Sequence, residues 1–250
     1  MIFLVCFVVW NLFKLDDEIS KFTTDTPVAT TVPDLVTDAA AFNRFKAKLE
    51  LFKSAVAGGE EASLRLSAED INFAIASDDR FKDLRQTFSV NEIKDGKLHV
   101  QISFPLRGRP MSGEMRYLNG SMIAVPSLSG PEIILTVERI DSPGTTVTEV
   151  PAGFIGQMSP YRIAQRYMDD ENLGPWMAKL SSVEVDGAEV VLAHVPSAAP
   201  APKDISPFVK RALALFAVFL LFFLLTIFAV VTVSRRRRAA EGLPDDNTEA

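Results

Sequence analysis

Asp95 to Leu106 reads DGKLHVQISFPL. Leu98, Val100, Ile102, Phe104 and Leu106 alternate with His99, Gln101 and Ser103, the period of two that puts apolar side chains on one face of a strand and polar ones on the other. Asp95-Gly96 just ahead of it is a two-residue hairpin turn, so a partner strand is expected at about 86 to 93. Outward in the other direction, strands are predicted at 113 to 118, 121 to 126 and 132 to 140. Asn119-Gly120 reads as the turn between the first two, and Ser129-Gly130-Pro131 as the break before the last. Asn119-Gly-Ser121 also fits the glycosylation sequon, but the turn accounts for it. These strands make an antiparallel meander.

Helices precede the meander. Phe42, Phe45, Leu49, Phe52 and Val56 recur at steps of three and four from a possible cap at Asp38 to Gly58-Gly59, one apolar stripe on a helix whose other positions hold Arg44, Lys46, Lys48 and Lys53. The stripe is read first as packing on a sheet or helix, with an interfacial helix on the bilayer as the alternative. A short strand, Ala62 to Leu66, leads into Ser67-Ala-Glu-Asp70, the capping-box start of a helix running to Ala76. After the meander, Ser159-Pro160 is expected to open a helix carrying Ile163, Ala164, Tyr167 and Met168 on one face. A helical stretch near Trp176 and a hairpin, Ser182 to Asp186 with Glu189 to Val195 turned at Asp186-Gly187, complete the fold. The class is α+β: an antiparallel sheet, as meander plus C-terminal hairpin, packed by amphipathic helices.

The 48% hydrophobic content of the 250 residues is concentrated at the two ends. Ala212 to Val233 holds only Thr226 and Thr232 as polar residues, and at ~1.5 Å per residue it reaches ~33 Å, enough for a ~30 Å hydrocarbon core. Arg235, Arg236, Arg237 and Arg238 follow it, against Lys210 and Arg211 before it, so the 234–250 tail is expected on the cytoplasmic side. Residues 1–13 (MIFLVCFVVWNLF) are too short to span as a helix and lack a cleavage site, and we read them as an uncleaved N-terminal anchor, with a truncated anchor as the alternative. Cys6, the one cysteine, lies inside it. Between the two, 14–37 reads as a Thr/Pro linker, 38–195 as an extracytoplasmic domain and 196–211 as a Pro/Ala linker. The expected location is the membrane, with the domain periplasmic or at the cell surface.

The chemistry of the domain is defined mostly by what is missing. No phosphate loop, nucleophile elbow, zinc-protease motif or dinucleotide glycine pattern occurs. Twenty basic against twenty-eight acidic side chains from Lys14 to Asp204 disfavour nucleic acid as a partner. Arg107 and Arg109 form the densest basic cluster there, read as a charged turn with lipid head-group contact as the alternative. Asp78-Asp79 and Asp169-Asp170-Glu171 lack the alternating spacing of a calcium loop, and no metal or cofactor is expected. A hydrolase would have to use His99 or His194, the only histidines, with a converging carboxylate.

Leu66, Glu69, Ile71, Asn72 and Ile75, set between a membrane segment and strands of dense hydrophobic alternation, give the chain a resemblance to the YpmS-like group of bacterial membrane-anchored envelope proteins, over about a quarter of its length. The C-terminal apolar segment departs from the single N-terminal anchor of that group. The resemblance implies an extracytoplasmic, non-enzymatic module and carries over no catalytic residue. The function expected is binding of a lipid or other hydrophobic ligand, or of an envelope protein partner, between sheet and helices, with Phe42, Phe45, Leu49 and Phe52 as the ligand-facing candidates. A structural subunit of a membrane complex is the alternative, ahead of an enzyme.

Overall fold

The computed structural model describes residues 14, 17–107, 114–158, 161–162, 174–198 and 216. The expected N-terminal anchor, Arg109, the acidic run 169–171 and the arginines 235–238 lie outside them, as does all of the apolar segment 212–233 except Phe216. Among the described residues no helix is long and apolar enough to cross a membrane. The chain divides into two units, Met1–Asp204 and Ile205–Ala250, and the fold below is that of the first.

In chain order the elements are α1 (Ala39–Gly58), β1 (Ala62–Leu66), α2 (Ala68–Ser77), a 3-10 turn (Asp79–Phe81), β2 (Phe88–Lys94), β3 (Lys97–Arg107), β4 (Met115–Ser129), β5 (Glu132–Asp141), α3 (Ala152–Met158), β6 (Tyr161–Arg162), α4 (Gly174–Met177), β7 (Ser182–Asp186) and β8 (Glu189–His194). Strands β2-β3-β4-β5-β6 form one antiparallel meander, and β1-β8-β7 a second, three-stranded antiparallel sheet. The α+β class holds, with two sheets: the C-terminal hairpin pairs with β1 and does not extend the meander.

Local signals explain much of this. The Asp95-Gly96 turn has both residues at positive φ, 53° and 77°, which only a Gly and a short polar side chain adopt easily. Ser67 and Asp70 form a reciprocal capping box at the start of α2. Gly59, in the left-handed region, ends α1 with its N–H on the Val56 carbonyl. At the other end Asp38 makes no side-chain cap, contrary to expectation. The apolar stripe of α1 faces inward: Phe45, Phe52 and Val56 are buried, and Phe42 packs on Phe73 of α2 at 5.7 Å between ring centroids.

Three further expectations fail. Asn119-Gly120 is no turn: β4 runs unbroken from Met115 to Ser129, and Gly120 sits in its middle because the Asp141 main chain crosses so closely that a Cβ would stand 1.9 Å from its carbonyl oxygen. Ser159-Pro160 does not open a helix covering Tyr161 and Arg162, since these form β6 and satisfy the free edge of β5 at Ile134 and Leu135; the helix lies earlier, after Pro151, whose carbonyl accepts from Phe154 and Ile155. Ile163, Ala164, Tyr167 and Met168 are outside the described residues.

The third concerns the expected Thr/Pro linker. Residues 20–30 are stitched to the meander. Thr24 exchanges two main-chain hydrogen bonds with Tyr117, at 2.9 and 2.7 Å, on the edge of β4 that β5 leaves open. Arg116 donates to the Thr23 hydroxyl and carbonyl and to Asp25, and Thr30 N–H reaches the Gln86 carbonyl. Phe22 is buried in the core against Phe154. Its Thr and Pro content suggested an extended spacer; the segment instead gains order by hydrogen-bonding an unpaired strand edge.

Candidate functional site

Two sheets and three helices leave a gap between them. The wall contributed by α1 holds Phe45, Leu49 and Lys53; β1 gives Leu64 and Leu66; α2 gives Ile71, Ala74, Ile75 and Ser77. Phe88, Leu98, Pro126, Ile133 and Leu135 line it from the meander, Val190 and Leu192 from the second sheet, and Trp176 and Met177 from α4. The cavity, open to solvent on one side, is about 230 Å³. Its walls follow from the alternation read in the sequence, because Leu98 is on the apolar face of β3 and Val190 and Leu192 on the inward face of β8.

Polar groups are few. Ser77, Lys53, Asp78 and Arg80 are the polar side chains on the lining among the described residues. Arg80 and Asp78 pair with one another, Nε to Oδ1 at 2.7 Å with a further contact through Nη2 to Oδ2. Lys53 Nζ donates to Glu50 Oε1 at 3.1 Å, on the exposed side of α1. The indole Nε1 of Trp176 is buried and has no hydrogen-bond partner among the described residues.

Of the four ligand-facing candidates, Phe45 and Leu49 are on the cavity wall. Phe52 is one layer back, edge-on to Trp176 at 6.0 Å between ring centroids, and Phe42 packs on Phe73 away from the lining. The stripe periodicity located the helix face but could not separate the residues that line a gap from those that close it. Trp176, Ile133 and Ala74 were not singled out from the sequence. Their membership depends on the second sheet and on α4, which local patterning does not position.

Of the basic candidates, Arg107 is the last residue of β3 and Arg109 is outside the described residues. The histidines do not converge at the cavity. His99 is on the half-exposed face of β3, and His194 is buried on β8 with Nδ1 2.6 Å from the Lys179 carbonyl and Nε2 unpartnered among the described residues. Neither lines the cavity. Asp78 is occupied by Arg80 and Asp79 by Arg85, at 3.0 Å, and among the described residues no three His, Cys, Asp or Glu side chains cluster to hold a metal. Comparison of the chain with known proteins found no matching family model, no matching curated protein and no matching solved structure.

Proposed function

We propose that this chain is a membrane-anchored extracytoplasmic binding module that takes a hydrophobic chain into the cavity between its two sheets and helices. The observation that carries the reading is the cavity itself: some 230 Å³ of space walled almost wholly by apolar side chains, in an interior where packing otherwise leaves few voids larger than water. An apolar gap accepts apolar guests, since an occupant restores the dispersion contacts that the lining lacks. The apolar segment from Ala212 to Val233, with arginines after it, supports placement at a membrane where such guests are abundant.

The test is photolabelling of the full chain in lipid vesicles with a fatty acid carrying a diazirine near its methyl end. The expected result is adducts on Leu49, Ile133 or neighbouring wall residues, suppressed by excess unlabelled fatty acid. Labelling confined to the outer surface, or insensitive to competitor, would overturn the reading.

A further inference from the structure

We infer that the outward face of α1 lies on an anionic bilayer surface, touching it through Arg44, Lys46 and Leu51. The inference takes from the reading above only that the chain is held at a membrane, and it does not depend on what fills the cavity. The aromatic stripe of α1 cannot make such a contact, because Phe45, Phe52 and Val56 are buried in the core. At about 100° per residue, Ala40, Ala47, Leu51 and Ser54 fall on the opposite side of the helix. All four are exposed.

Apolar exposure is concentrated at this helix. The two most exposed large apolar side chains of the globular unit, among the described residues, are Val36 at 85% and Leu51 at 73%. Val36 lies in the turn that leads into α1, where Asp38 N–H donates to the Asp34 carbonyl.

Charge names the partner. From Lys14 to Asp204 acidic side chains outnumber basic ones by twenty-eight to twenty, yet α1 carries four basic residues and a single acid. Lys48 and Lys53 are spent on Asp70 and Glu50, at 2.9 and 3.1 Å. Arg44 and Lys46 are exposed and form no ion pair among the described residues; the Lys46 ammonium rests 5.6 Å from the centre of the Phe42 ring. The two sit on opposite flanks of the outward face, with Ala47 and Leu51 between them. Cations on either side of an apolar midline suit a helix lying in an interface, where their stems follow the apolar surface and their charges reach the phosphates. A negative surface attracts this face and repels the more acidic remainder of the domain, so the charge distribution turns α1 toward it.

The experiment uses the full chain with Cys6→Ser and Leu51→Cys, labelled with an environment-sensitive fluorophore at position 51, in phosphatidylcholine vesicles with and without 30% phosphatidylglycerol. Nitroxide-bearing lipid serves as quencher. A parallel label at Thr136→Cys, exposed on β5, is the control. Lipid quenching at position 51 is expected to be at least threefold stronger in the anionic vesicles, to fall to the neutral level with Arg44→Glu and Lys46→Glu together or in 0.5 M salt, and to be absent at position 136.

Quenching at 51 that ignores lipid charge and the double charge reversal would overturn the inference, as would quenching at 136 alone. A blue shift at 51 without lipid quenching would also overturn it and identify a protein as the occupant. Release of the chain from neutral vesicles by an alkaline wash is a separate result: it removes the anchoring reading, while charge-dependent quenching at 51 would still uphold the contact of α1.

Discussion

The side-chain amide of Asn72 faces the main chain of Val90 edge-on, donating to its carbonyl and accepting from its N–H, both at 2.8 Å. It thereby replaces a strand neighbour for one residue of β2, beside the register shift between Val90 and Glu92. This contact ties α2 to the first strand of the meander and fixes one wall of the cavity. Asn72→Ala leaves a buried N–H and a buried carbonyl unpaired and should cost about 2–3 kcal/mol in chemical denaturation. Asn72→Asp keeps the acceptor but sets a carboxylate oxygen against the Val90 carbonyl, so at neutral pH it should destabilise at least as much as Asn72→Ala.

Asn119 is saturated in a similar way. Its Nδ2 donates to the Thr24 hydroxyl and the Thr26 carbonyl, and its Oδ1 accepts from Val28 N–H and from the Ser103 hydroxyl. Asn119→Ala should destabilise by about 2–3 kcal/mol, and hydrogen exchange should locate the loss in residues 20–30 before the rest of the sheet opens. Protection of Thr24 and Tyr117 unchanged from the parent protein would show that the main-chain bridge alone holds the segment.

Gly120 offers a steeper test. Any side chain must displace the main chain of Asp141, and Ser142, whose hydroxyl lies 2.8 Å from the Asn119 carbonyl, is fastened just beyond it. Gly120→Ala is expected to cost at least ~3 kcal/mol or to prevent folding. A near-normal denaturation midpoint would mean that β5 yields at this crossing.

Arg65 makes the contrasting case. It spans Asp186 and Glu189 across the tip of the second hairpin, at 2.8 and 3.2 Å, and hydrogen bonding from Asp186 first, then Glu189, raises its already high pKa. All three side chains are solvated, so Arg65→Ala should leave the thermal midpoint nearly where it is, and added salt should erase what difference remains.

These residues also show why the fold was only partly legible beforehand. The Asp95-Gly96 and Asp186-Gly187 turns and the Ser67 capping box are local devices, complete within four residues, and each was found where expected. Asn119-Gly120 carries the same dipeptide signal for a different reason. There the asparagine serves a segment some ninety residues earlier and the glycine makes room for a strand twenty residues later, so no window around the pair contains the cause. Of the candidate site, Phe45 and Leu49 came from helical periodicity, whereas Trp176 and Ile133 join it through the packing of α4 and β5.

The Thr24–Tyr117 bridge bears on mechanics. Tension applied to the chain ahead of Lys21 enters the sheet at β4, which pairs with β3 from Met115 to Ala124, and Arg116 and Asn119 grip the same segment on either side of the bridge. A pull from that end is therefore shared across the middle of the meander and does not peel away a terminal strand.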